Sequence, residues 1–316
     1  MVAAALALSP AVAPTHAAEP RVTFDTNQAG QVVIHIGDTL VARYVYDDPQ
    51  ISRPYFAHLR PPGGPQVSRH HPPVEGADVA DHPTFHPGLW MSFGDLSGND
   101  YWRNKAAVKQ VHQEVSAEGN WFAVRNRYLD QGDPSQTVCE ARVRYSFHLR
   151  PAGYLLVWDS RFSSPRDFYF GDQEEMGLGF RVATAIRVER EAQGTIPGGN
   201  GRLVDSAGRV NGKEIWGNTA AWCDYSGTLD GQHAGMTLMC HPGNFRPSWF
   251  HARDYGLLLA NAFGREAFGQ GEASRVDVAV GSELRLRYGI LVHASPAGKA
   301  PDLAREFDHF VQLAHE

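Results

Sequence analysis

Residues able to carry chemistry crowd into one short stretch, DHPTFHPGLWMSFGDLSGNDYW. It holds His82 and His86, Asp81, Asp95 and Asp100, and Trp90 and Trp102. Imidazoles change charge near neutral pH and carboxylates accept protons, so such a set can run acid–base chemistry. The indoles add flat apolar faces. Three further segments have the same mixed character. SRPYFAHLRPPGGPQVSRHHPP carries Arg53, Tyr55, His58, Arg69, His70 and His71. DFYFGDQEEMGLGFRV carries Asp172, Glu174 and Glu175, and CHPGNFRPSWFHARDYGLLLANAFG carries His241, Asn244, Arg246, His251, Arg253, Asp254 and Tyr255. Aromatic faces beside carboxylates, imidazoles and guanidiniums suit a sugar, whose C–H faces stack while its hydroxyls take directed hydrogen bonds.

A metal is the competing use of these residues. Asp81, His82 and His86, with His70 or His71, offer nitrogen and oxygen ligands to a divalent ion. Pro83 and Pro87 argue against a helix that would bring His82 and His86 together. In extended backbone the two would lie roughly 13 Å apart on one side. The primary reading therefore predicts no cofactor. The sequence contains no G-x-S-x-G elbow, no phosphate-binding loop and no H-E-x-x-H pair.

Strands must position these groups. In VRYSFHLR, Val143, Tyr145, Phe147 and Leu149 share one face, with Arg144, Ser146, His148 and Arg150 on the other. ELRLRYGILVH alternates in the same way, and QVVIHI, WFAVRNRY, YLLVWDSRF and RVDVAV also read as half-buried strands. With 32 Gly and 20 Pro, turns are frequent. Antiparallel sheets with one wet face are expected. Only APDLAREFDHFVQLAH has helical periodicity, with Leu303, Phe307, Phe310 and Ala314 on one stripe, and it should cover a sheet edge or close the sandwich.

The 316 residues carry a net charge of −6 and no basic block, so nucleic acid is not an expected partner. Residues 1–18 read as the apolar core and end of a secretory signal peptide, which places the protein in the periplasm or outside the cell. No segment is long and apolar enough to span a bilayer. Residues 19–316 are expected to form a single β-sandwich domain. Cys139, Cys223 and Cys240 match no metal spacing and read as buried small apolar residues.

The order RPYFAHLRPP, DHPTFHPGLWMSFGDLSGNDYW, EEMGLGFRVA, HPGNFRPSWFHARDYGLLLANAFG and LRYGILVH resembles a bacterial domain of unknown function labelled the PmoA, or methane oxygenase PmoA-like, family. Methane chemistry is set aside, because methane monooxygenase subunits of that name are membrane-embedded and this chain has no spanning helix. The strand pattern is similar, more weakly, to the galactose-mutarotase-like proteins. That similarity implies an all-β fold, a large antiparallel supersandwich with a C-terminal helix, in which a histidine acid and a carboxylate base work over a sugar. Glu174 or Glu175 stands near the place where those relatives carry the histidine, which puts simple mutarotation in doubt.

The expected function is therefore that of an exported carbohydrate-active protein, a lyase, hydrolase or epimerase. Its partner would be a small sugar or oligosaccharide. Glu174 is expected as base, with His86 or His251 as acid. Adjacent Glu174 and Glu175 should point to opposite faces. Arg53, Arg253 and Asp254 would hold hydroxyls, and Trp90, Trp102 and Tyr255 would stack on the ring. Tyr55, His70, Asp81, His82, Asp100 and Asn244 complete the expected lining. The alternatives are a non-catalytic sugar-binding protein and a metal-dependent enzyme centred on His70, His82 and His86.

Overall fold

The period-two alternation resolves into two eight-stranded antiparallel sheets. The computed structural model describes residues 20–314. The expected signal segment, residues 1–18, lies outside the described residues. In chain order the strands are β1 (Val22–Asp25), β2 (Gln31–Ile36), β3 (Thr39–Val45), β4 (Tyr55–Ala57), β5 (Leu89–Phe93) and β6 (Val108–Val115). Next come β7 (Trp121–Leu129), β8 (Thr137–Arg150), β9 (Gly153–Ser163), β10 (Phe168–Phe170), β11 (Met176–Arg181) and β12 (Arg202–Asp205). The short helix α1 (Asn211–Ile215) precedes β13 (Trp222–Leu229), β14 (Gln232–Cys240), β15 (Trp249–Arg253), β16 (Leu257–Asn261), β17 (Val276–Val278) and β18 (Leu284–Pro296). The helix α2 (Leu303–Leu313) ends the described chain. The first sheet runs β1-β2-β3-β4-β5-β11-β16-β15 and the second β12-β13-β14-β18-β9-β8-β7-β6, with β10 and β17 forming a separate ribbon.

The two sheets share one core. Ile34, Phe56, Leu89, Phe93, Leu178 and Phe180 of the first meet Phe122, Val143, Tyr145, Leu156, Trp158 and Ile290 of the second. Edge-on ring contacts pin the layers together, with Phe56 of the first sheet 5.0 Å from Tyr145 and 5.8 Å from Trp158 of the second. Burial on β8 follows the predicted face through Val143, Tyr145 and Phe147, but Leu149, at the end of the strand, is 38% exposed. All three cysteines are buried and unbridged.

Helix α2 starts where expected, with the Asp302 side chain accepting a hydrogen bond from the Arg305 amide. Its position differs from both expected ones, a sheet edge and the closing of the sandwich. Phe310 and Ala314 pack with Leu155, Val157, Met239 and Leu291, so the helix lies across the outer face of the second sheet. Those four residues are apolar at positions that alternation turns away from the core, so an amphipathic helix must cover them.

The first sheet's outer face is also covered, here by the long connections 58–88 and 94–107. Beneath them a smaller apolar layer joins Ile51, Tyr55, Ala57, Trp90, Trp102, Leu257 and Leu259.

Candidate functional site

Alternation fixes the floor of the site. Met176, Leu178 and Phe180 point into the core, so Gly177, Gly179 and Arg181 face outward. Register then aligns Trp90 of β5, Gly179 of β11, Leu259 of β16 and His251 of β15 in one row. The glycines let the strands approach closely. A Cβ on Gly177, whose φ is +115°, would lie 2.1 Å from the Ala260 carbonyl oxygen.

The covering loops leave a cavity of about 170 Å³ over this floor, lined by His82, Phe85, His86, Trp102, Arg103, Glu175, His251, Tyr255 and Leu257. Typical small-molecule pockets run from roughly 300 to 1,000 Å³, so this one suits a group the size of a single ring. The walls form an aromatic stack. His86 lies parallel to Trp90 at 5.2 Å, His82 lies over His86 at 4.9 Å, and Trp102 meets His86 edge-on at 5.9 Å.

Two buried arginines hold the 78–88 loop in place. Arg69 donates to the backbone carbonyls of Val79, Asp81, His82 and His86 and to the Asp81 carboxylate. Arg53 donates to the carbonyls of Phe85, Tyr101 and Trp102 and to the Asn104 side chain. From the floor, Arg181 forms a two-pronged pair with Asp81 at 2.6 and 3.0 Å and lies 4.4 Å over the Tyr255 ring. Burial alone would raise the Asp81 pKa, but the Arg181 charge and hydrogen bonds outweigh it and hold the carboxyl below its usual range.

The histidines are the most perturbed groups. Burial pulls the His251 pKa down to about 4; nearby Glu174 opposes the shift and Arg253 reinforces it. Burial also drives His86 well below the ordinary histidine value, with the Arg181 charge adding to the effect. Both rings are therefore neutral at pH 7. Arginine can only donate, which settles their tautomers. Arg253 Nε donates to His251 Nε2 at 2.8 Å, leaving the proton on Nδ1. Arg181 approaches His86 Nδ1 at 3.4 Å, leaving the proton on Nε2.

This has a consequence for stability. The unfolded chain protonates its histidines near pH 6.5, whereas folded His251, and His71 likewise, resist protonation down to about pH 4. As pH falls between those values, only the unfolded state gains protons, so stability must drop. For nearly buried His251 the full loss is about 3 kcal/mol. Urea midpoints at pH 7, 6 and 5 should decline steadily, and His251→Gln should flatten the slope; a slope unchanged in the variant would contradict the assignment.

Of the residues expected from sequence, His82, His86, Trp102, His251 and Tyr255 line the cavity. Asp81, Trp90, Asp100, Glu174 and Arg253 stand behind its walls. Trp90 is fully buried beneath His86, not presented as a stacking surface. Asp100 accepts from Arg103 and pairs with Lys105. The Glu174 carboxylate is engaged by Trp216 Nε1 at 2.9 Å and by Arg253 at 3.1 Å. The acid that reaches the cavity is its neighbour Glu175, paired with Arg103. Counting outward from Met176 places Glu175 on the side of Gly177 and Arg181.

Five expected residues take other roles. The Arg53 donors are committed to loop carbonyls, which replaces the hydroxyl-holding role expected for it. Tyr55 donates to Asp48, and His70 bonds Asp78 at 2.7 Å. Asn244 pairs with the backbone of Arg287 in the second sheet, and Asp254 accepts from the Gly212 amide. Among the described residues no group of three or more His, Cys, Asp or Glu side chains could hold a metal ion. The His82 and His86 rings stack face to face rather than converging, and His70 is occupied elsewhere, so the metal-centred alternative finds no ligand set here. Sequence reasoning missed Phe85, Arg103, Arg181 and Trp216; alternation in MGLGFR would have found Arg181.

A two-sheet antiparallel sandwich with a roofed polar cavity on one outer face is what fold and site define. The chain belongs to a family of unknown function, DUF6807, which it matches over residues 31–308. No curated protein matches it. It is similar to a GalM/aldose epimerase homologue from C. elegans, at 9% identity and a TM-score of 0.35, covering 87% of this chain and 99% of that one. It is also similar to a galactose mutarotase-like protein from Lactobacillus casei, at 9% identity and 0.40, covering 87% and 100%. A GH36 alpha-galactosidase from Geobacillus stearothermophilus is 10% identical with a TM-score of 0.40; the likeness covers 87% of this chain and 41% of that one.

Proposed function

We propose that this protein is a carbohydrate-active enzyme that removes a proton next to a carbonyl group of a sugar, leading to elimination or epimerisation. The observation that carries this is one cavity holding two neutral imidazoles, His86 and His251, and one carboxylate, Glu175. A neutral imidazole N–H is a weak acid but a good hydrogen-bond donor to a developing enolate oxygen. Glu175 takes the proton from the carbon beside the carbonyl, and the electron pair of that C–H bond moves to the carbonyl oxygen. The enolate then expels a leaving group from the next carbon, forming a double bond, with Glu175 returning its proton to the departing oxygen. Reprotonation of the enolate on its other face by a water molecule, with Glu175 releasing the abstracted proton to solvent, gives the epimer instead.

Hydrolysis of an unactivated glycoside is less well served. It ordinarily needs two carboxyl groups flanking the bond, and Glu175 is the one acid among the residues lining the cavity. The role expected for Glu174 thus passes to Glu175, with Glu174 holding Arg253 and, through it, the His251 tautomer. Trp102 and Tyr255 supply faces for the ring, and the small volume limits the site to one sugar unit.

The test is incubation with a panel of glycosides and their 3-oxo derivatives in D2O, read by mass spectrometry and NMR. From the 3-oxo sugars alone, either an unsaturated product that has lost the hydrogen beside the carbonyl or an epimer and recovered substrate carrying deuterium there is expected. Binding without exchange would replace the enzyme with a sugar-binding protein, and hydrolysis of the unoxidised glycosides would overturn the mechanism.

A further inference from the structure

We infer that the outer face of the second sheet is a binding surface for an acidic oligosaccharide bearing repeated carboxylates. It lies on the opposite sheet from the cavity and does not depend on the reaction proposed there. Register places Arg125, Arg142, Arg161 and Arg285 directly opposite one another across β7, β8, β9 and β18. The next row out on the same face adds Arg144 and Arg287. All six line a groove of about 700 Å³ running beside the end of α2. The acids lining it are Glu114 and Asp159, and no lysine lines it.

Like charges placed opposite each other on neighbouring strands destabilise a sheet. Partial relief comes from Asp159 gripping Arg285 at 2.7 and 2.9 Å, from Glu283 on Arg161 at 3.1 Å, and from Glu140 near Arg125 at 3.9 Å. The centre of the row is left uncompensated. Arg142 is exposed and makes no ion pair or hydrogen bond among the described residues, and Arg144 is exposed and lies 4.3 Å over the Trp121 ring. Burial and the neighbouring Arg285 charge pull the Arg287 pKa below arginine's ordinary value, a sign of the same crowding. A chain with 35 acidic and 29 basic residues has thus concentrated guanidiniums on one face.

The chemistry selects the occupant. Arginine without lysine points to planar two-pronged recognition, which matches carboxylates. Neighbouring strands are about 4.8 Å apart, so the row offers cationic forks at a short regular spacing, as repeated uronate units require. Beside the row, Asn120 and Ser146 are linked through the two ring nitrogens of His148, which leaves the Asn120 side-chain oxygen and the Ser146 hydroxyl to meet sugar hydroxyls. A nucleic acid would instead require base-stacking faces; Trp121 is already covered by Arg144, and the protein's overall charge is negative.

Titration calorimetry of the full chain with tetragalacturonate at low salt tests this. Binding is expected, with affinity falling as salt rises and no competition from a neutral tetrasaccharide. The double variant Arg142→Ala, Arg144→Ala should bind about tenfold more weakly or worse, with a thermal midpoint that does not fall, because both side chains are exposed and the change relieves like-charge repulsion. Arg142→Glu alone should weaken binding further than Arg142→Ala, which supplies a second reading if the double variant fails to fold. Absence of binding, equal binding by the variants, or stronger binding of heparin or single-stranded DNA than of the uronate would overturn the inference. Loss of the 3-oxo glycoside reaction would leave it untouched.

Discussion

Glu175→Gln is expected to lower turnover of a 3-oxo glycoside by about 10²- to 10⁴-fold, the range for removing a positioned general base. Gln keeps the shape and a carbonyl oxygen for Arg103 but cannot take the proton. KM should therefore move much less than kcat. Glu174→Gln makes the informative contrast. Its carboxylate touches Trp216 and Arg253, not the cavity, so its loss should be smaller. Because Glu174 opposes the depression of the His251 pKa, the Gln variant should lower that value further. Histidine resonances followed by NMR against pH would show it. Deuterium exchange at the carbon beside the carbonyl, measured in both variants, separates the roles. If Glu174→Gln proves the more damaging for exchange, the base has been misassigned.

Arg69→Met should destabilise the fold by about 3–5 kcal/mol, the cost of removing one partner from a buried charged network. Arg69 is 1% exposed. Its guanidinium ties together four carbonyls of the 79–86 segment and the Asp81 carboxylate, with burial drawing its pKa down to about 10. Methionine fills much of the volume but satisfies none of those acceptors, and each orphaned carbonyl carries a penalty of roughly 1–3 kcal/mol. The urea midpoint should fall with its slope unchanged. Ligand binding in the cavity should weaken as well, since His82 and His86 lose their anchor. A midpoint shift no larger than that of an exposed change such as Arg142→Ala would show that the loop is held by other contacts.

The local rules of the chain were legible because they are short-range. Alternation in VRYSFHLR, YLLVWDSRF and ELRLRYGILVH specified strands with one wet face, and the stripe Leu303, Phe307, Phe310 and Ala314 specified the helix. The four polar segments were recognisable because their residue types are uncommon in a dry core. That their loops would approach one sheet face was a fair inference; which side chains would reach the cavity was not. Arg53 shows why. An arginine in a loop reads as a ligand contact until neighbouring carbonyls are known to use up its donors, and those carbonyls lie up to 49 residues away.

Sequence by itself determined the antiparallel architecture, the terminal helix and the chemical character of the loops, since each depends on periods of two or about three and a half residues. Tertiary structure alone decided that Glu175 and not Glu174 reaches the cavity, that Trp90 underlies His86, and that four arginines align across four strands. Register between distant strands sets those choices, and a shift of one residue would send every one of these side chains to the opposite face.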